Sequence, residues 1–114
     1  LLEIPAGAMD RTDASPEVAM RRELLEETGY AFDQVIQLGE ICPNPASSNN
    51  VTYMFLATGG KKVQEQQLDQ NEEIEIVHIS LDELKEMMVS NKIKQSLHVT
   101  CIFYALQYMK QLTL

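Results

Sequence analysis

Strands alternate with helices along this chain, which predicts a sheet with helices packed against it, an α/β or α+β arrangement. Three segments carry that expectation. Residues 73–79 (EIEIVHI) alternate polar and apolar, the period of a half-buried strand. Residues 16–28 are bracketed by Ser15-Pro16-Glu17 and Gly29, the start and stop signals of a helix. Near the C-terminus, Val99, Ile102, Phe103, Leu106 and Met109 recur at three- and four-residue steps, one packed helical stripe. At 114 residues and 45% apolar, the chain is sized for a single domain over residues 1–114 and is too apolar for disorder.

The remaining elements follow in order. Residues 1–5 (LLEIP) read as the end of a strand, and residues 6–15, with Gly, Asp, Thr and Ser, as a loop. Residues 35–41 and 51–57 are strand-like and are joined by the turn-rich stretch PNPASSNN. Residues 58–72 form a polar connection into the 73–79 strand. Ser80 and Glu83 make a capping box before a helix of about ten residues. The last helix is expected from about Gln95 to Leu112, with its stripe against the core. The chain starts inside a strand without an initiator Met, so part of the sheet is expected to lie upstream.

Charge and composition exclude several classes. Acidic side chains number 17 and basic ones 9, a net charge of −8. Nucleic acid needs a basic footprint, and an anionic membrane face attracts polybasic segments, so neither is an expected partner. No apolar run approaches the roughly 20 residues that cross a bilayer. The opening LLEIPAG carries no basic n-region or cleavage site and does not read as a signal peptide. Two cysteines, Cys42 and Cys101, make no disulfide framework and fit a reducing cytoplasm.

The segment Arg22-Glu23-Leu24-Leu25-Glu26-Glu27-Thr28-Gly29-Tyr30 is where chemistry is expected. Glu23, Glu26 and Glu27 stand at i, i+3 and i+4, on one helix face. Carboxylates so placed repel one another unless something positive sits among them. A hard divalent cation supplies that charge, and oxygen ligands suit Mg²⁺ or Mn²⁺. Mg²⁺ is commonly held by carboxylates and substrate phosphates together, so a phosphate or diphosphate is the expected substrate feature. Arg22 is placed to pair with a neighbouring carboxylate, and Leu24 with Met20 is expected to face the core. The competing reading is an ordinary charged helix face with salt links.

With its surroundings, the segment resembles the signature of the Nudix hydrolases: Gly, five residues, Glu, seven residues, then R-E-U-x-E-E-x-G-U, with U bulky and apolar. Here Gly7 is followed by five residues and Asp13, then eight residues and Arg22 to Tyr30. The second half matches at each fixed position, Tyr30 counting as bulky. The first half departs in having Asp13 for Glu and one inserted loop residue. The flanks, LLEIPAG, Pro43 and Pro45, and the tail from Asn71 onward, are similar to the branch that cleaves ADP-ribose and nucleoside-diphosphate sugars.

The resemblance implies an α/β/α sandwich around a mixed sheet, with N-terminal strands lying outside this chain. It implies Mg²⁺-dependent hydrolysis of a nucleoside diphosphate linked to another moiety, giving a nucleoside monophosphate and a sugar phosphate. Glu23 and Glu27 would be the main metal ligands, Glu26 a direct or water-bridged one, and the Ala6 backbone carbonyl another. Arg22 would hold the carboxylates. Glu72, with Glu73 as substitute, would complete the metal site or act as base. Gly7, Pro43 and Pro45 would border the substrate. Similar enzymes often carry an acid where this chain has Gln70, and glutamine cannot serve as a base, which leaves Asp69 as a further candidate. Homodimers are usual in the branch. Two alternatives stay open: a relative acting on nucleoside triphosphates or dinucleoside polyphosphates, and a nucleotide-binding regulatory domain without turnover.

Other reactive residues read as structural. His78 and His98 are expected as surface or satisfied core histidines. Cys42 and Cys101 are expected as small buried residues, and Met87 and Met88 as core filler. Lys61 and Lys62 read as solvated.

Overall fold

A computed structural model describes residues 2–44, 46 and 50–112. The elements run α1 (Pro16–Thr28), β1 (Tyr30–Ala31), β2 (Gln34–Ile41), β3 (Thr52–Thr58), β4 (Lys61–Lys62), α2 (Leu81–Val89) and α3 (Ser96–Tyr108). Three helices and small antiparallel sheets make this an α+β fold.

The sheets form one bent ribbon. β2 and β3 pair antiparallel from Gln34 opposite Thr58 to Ile41 opposite Thr52, with Leu38 bulged out between Gln37 and Gly39. Across the bend, Tyr30 pairs with Lys62 and Ala31 with Lys61. The bend lies at Phe32-Asp33 against Gly59-Gly60. Gly59 has φ 70°, and a Cβ on either glycine would fall on Asp33 or Phe32, so side chains are excluded there.

Both α1 and α3 pack on this ribbon. Ala19 and Leu24 of α1, Val35 of β2 and Met54 of β3 are buried. Ile93, Ile102 and Leu106 form a buried cluster, and Ile4, Leu84, Met87, Met88, Val99 and Met109 close around it. The two methionines thus fill the core edge as expected. α2 opens with the complete Ser80–Glu83 capping box.

Several local expectations change. Residues 2–5 and 73–79 enter no ladder among the described residues; Ile74 and Ile76 are half-buried between exposed neighbours, but the alternation slips at Val77 and His78, both exposed, before Ile79. Side chains hold these segments instead: the Ile4 N–H donates to His98 Nδ1 at 3.3 Å, and Gln66 Nε2 donates to the Ile74 carbonyl at 3.0 Å. α3 ends at Tyr108, four residues early, because Lys110 turns left-handed (φ 58°) and the Gln111 N–H closes back on the Leu106 carbonyl. Phe103 of the predicted stripe is exposed, edge-on to Tyr104, while Ile102 and Leu106 take the buried positions. Met20 joins a cleft beside Glu23, its neighbour three positions on, rather than the core. Cys42 is exposed, since it follows the last β2–β3 pair, whereas Cys101 is half-buried with Sγ 4.0 Å from the Phe55 carbonyl oxygen.

Leu106, 2% exposed, centres the α3 cluster. Leu106→Ala is expected to cost about 2–5 kcal/mol of unfolding free energy by lost transfer and a residual cavity. Urea denaturation checks this, and a loss under about 1 kcal/mol would place the core elsewhere.

Candidate active site

The site is built on α1 and the two segments hung from its ends. Ser15 caps the helix, its hydroxyl accepting the Val18 N–H at 3.2 Å. Gly29 closes it with φ 77° and its N–H on the Leu25 carbonyl. A Cβ on Gly29 would strike the Gln64 carbonyl oxygen, so that position requires glycine for both conformation and space.

Arg22 serves almost every acid around it. Its Nε and Nη2 donate to Asp13 Oδ1 and Oδ2 at 3.0 and 2.8 Å, a bidentate pair. Nη1 donates to Glu23 Oε1 at 3.1 Å and Glu26 Oε2 at 3.3 Å, and Nη2 reaches the Ala8 carbonyl at 3.1 Å. The Asp13 side chain is 3% exposed. Its hydrogen bonds with Arg22, then that with the Asp10 amide, hold its carboxyl below the usual range. The shorter acid therefore still anchors the loop before α1.

Glu23 lies directly over Gly7, where a Cβ would fall on the Glu23 carboxyl. The sequence match at Gly7 thus has a steric reason. Glu23 and Gly7 border a cleft of about 450 Å³ with Met9, Met20, Pro43 and Tyr53. Pro45 lies outside the described residues.

Glu27 stands apart from Arg22. With Glu72, Glu73, Ala6, Ile74 and His98 it borders a second cleft of about 480 Å³. Burial, then the charges of Glu23 and Glu72, push its carboxyl up from 4.5 to about 7, against a stabilising hydrogen bond with the Ala6 backbone. Glu72 is presented by a turn in which its N–H bonds the Asp69 carbonyl (2.9 Å) and its Oε1 accepts the Asp69 N–H (2.8 Å). Gln70, exposed on that turn, is not among the cleft-lining residues.

Among the described residues, no three acids, histidines or cysteines already form a metal cage. Mg²⁺ needs none: it is usually held by one or two carboxylates with substrate phosphates and waters. Glu27 and Glu72, hard oxygen donors with excess negative charge between them, fit that requirement in kind. Glu23 and Glu26 are engaged by Arg22.

One contributor carries no sequence signal. Gln66 Nε2 donates to the Glu27 carbonyl at 2.7 Å as well as to Ile74. His98 is buried and lines the second cleft with its Nδ1 occupied by Ile4, a satisfied core histidine. His78 is exposed, its ring 5.9 Å from Tyr30. Lys61 and Lys62 are exposed, Lys62 pairing with Glu65 at 3.4 Å.

A family model described as the NUDIX domain matches residues 1–98. Among curated relatives, a methanol dehydrogenase activator of Bacillus methanolicus is 30% identical over 91% of this chain and 56% of its own length. An ADP-ribose pyrophosphatase of Bacillus subtilis is 27% identical over 96% of this chain and 57% of its own. A GDP-mannose pyrophosphatase of Yersinia pestis is 33% identical over 92% of this chain and 53% of its own. The chain therefore spans about half the length of the curated relatives it matches.

The Glu27 shift has a signed consequence. Its folded value (about 7) exceeds the ordinary 4.5, so stability is present below pH 4.5 and is lost as pH rises through about 7. In chelator, Glu27→Gln is expected to melt higher than wild type at pH 8, by roughly 4 °C after discounting for solvent screening. At pH 4.5 the two should melt alike. A variant that melts lower at pH 8 would contradict the crowding of carboxylates at this cleft.

Proposed function

We infer the function from one premise: this chain belongs to the Nudix family. On that basis we propose that it forms the hydrolytic part of a Mg²⁺-dependent pyrophosphatase acting on nucleoside-diphosphate sugars, ADP-ribose and GDP-mannose being the first substrates to try. The observation that carries this reading is the cleft that Glu27 shares with Glu3, Glu72, Glu73 and Ala6 and with no lysine or arginine, where the Glu72 charge bears on the Glu27 carboxyl.

Water attacks one phosphorus of the diphosphate and the bridging P–O bond breaks, giving a nucleoside monophosphate and a sugar phosphate. A divalent ion bound here supplies charge neutralisation at the phosphoryl oxygens and lowers the pKa of water. Glu27 and Glu72 would hold it, with the Ala6 carbonyl as a further ligand. Glu23 and Glu26 stay in the machinery through Arg22, which fixes their orientation and keeps Gly7 against Glu23. With Glu72 on the metal, Glu73 beside it would take the proton released by the attacking water. Gly7 and Pro43 border the neighbouring cleft, which suits the rest of the substrate. A homodimer and a cytoplasmic setting complete the proposal; no helix among the described residues is long and apolar enough to cross a membrane.

The test is turnover by the full-length protein of ADP-ribose, GDP-mannose, dinucleoside polyphosphates and nucleoside triphosphates in Mg²⁺, followed by product chromatography. AMP with ribose 5-phosphate, or GMP with mannose 1-phosphate, abolished by chelator, is the expected result. Binding of these compounds without turnover would overturn it. Glu27→Gln is expected to lower turnover by about 10²–10³-fold while the fold survives. Gly7→Ala, which displaces the Glu23 carboxyl, is expected to cost roughly ten- to a hundredfold in kcat at near wild-type melting temperature.

A further inference from the structure

Glu72 reaches its cleft from a turn, outside any helix or ladder. Its distance from Glu27 is therefore set by how residues 63–74 are fastened to α1. The near end is fastened by backbone bonds: Val63 and Gln64 N–H to the Gly29 carbonyl at 2.9 and 3.2 Å, and Gln67 N–H to the Glu26 carbonyl at 2.7 Å. Gln66 supplies a different bond. From a half-buried position, its Nε2 bonds the Glu27 carbonyl at 2.7 Å and the Ile74 carbonyl at 3.0 Å. An amide nitrogen has two N–H donors, and both are used. The clasp thus runs from the residue carrying one cleft carboxylate to a point two residues beyond the other.

We propose that Gln66 is a positioning residue that holds the Glu27 and Glu72 carboxylates at a spacing where one divalent cation is shared between them. This rests on the metal-dependent reading above. The two carboxylates repel each other, so a loosely held 72–74 segment would relax away from α1. A donor pair fixed to both backbones resists that drift. A carboxylate in place of Gln66 would face two carbonyls with no proton to offer, and a thioether would keep the length and donate nothing. Partners that orient a metal ligand in this way typically carry a 10–100-fold effect on metal affinity.

The experiment is calorimetric titration of Mn²⁺ into the full-length protein, with melting temperature recorded for each variant. Gln66→Met is expected to weaken Mn²⁺ binding about tenfold. In a Glu72→Gln background the same substitution should change affinity by less than about twofold, because its effect passes through Glu72. Gln66→Asn, which keeps the amide but falls one methylene short, should repeat the pattern and serves if the Met variant folds poorly. Wild-type-like Mn²⁺ affinity in both Gln66 variants, or losses that add in full to that of Glu72→Gln, would overturn the proposal. Wild-type protein that takes up no Mn²⁺ would overturn the metal-dependent reading and this inference with it. Mn²⁺ uptake indifferent to Gln66 would overturn the inference alone.

Discussion

One guanidinium organises this site by what it neutralises and what it leaves. Arg22 spends its donors on Asp13, Glu23, Glu26 and the Ala8 carbonyl. That seats the loop before α1 on the helix and fixes Gly7 beneath Glu23. It also leaves Glu27, one position past Glu26, outside the reach of the same cation. The excess negative charge of α1 is therefore gathered at its C-terminal end, facing Glu72. The negative end of the helix dipole falls there too, and disfavours a further anion. Local electrostatics thus crowd carboxylates at this end of α1, a division of the acids that the sequence pattern does not show.

The second cleft is bordered by stretches that carry no ladder. Backbone groups in such stretches must still find partners where water is excluded. Ile4 finds His98, and Ile74 finds Gln66. Each bond ties a flank of the Glu27 cleft to a helix, His98 on α3 directly and Gln66 through the Glu27 carbonyl at the end of α1. The last turn of α1 shows the same accounting. Its carbonyls at Leu24, Leu25, Glu26 and Glu27 accept from Thr28 Oγ1, Gly29 N, Gln67 N and Gln66 Nε2. The helix end is thereby made part of the cleft wall instead of a frayed terminus.

Much of the site was legible in the chain. The caps of α1, its length and the shared face of its acids follow from spacing alone. The loop position that departs from the signature still holds, because a carboxylate of either length pairs bidentately with arginine. Other residues were misplaced by the same periodic logic. Met20 and Leu24 stand four apart, yet only Leu24 is buried, since the cleft over Gly7 opens on the Met20 side. Phe103 fits the α3 stripe by spacing, but Ile102 fills the buried position beside it. The strand expected at 73–79 rests on polar–apolar alternation, which reports burial on one side and says nothing about a neighbour to pair with.

The sequence by itself determined the helices, the acid-bearing face of α1, the hairpin and the family signature, because each is written in residues within a turn or two of one another. Tertiary structure alone decided which carboxylates Arg22 would claim and which would face the cleft. It also decided that Gln66 would bridge 39 positions to Glu27, and Ile4 94 positions to His98. The physical reason is range: helical periodicity and caps act through local backbone geometry. A hydrogen bond between distant segments exists only once packing has brought donor and acceptor within about 3 Å.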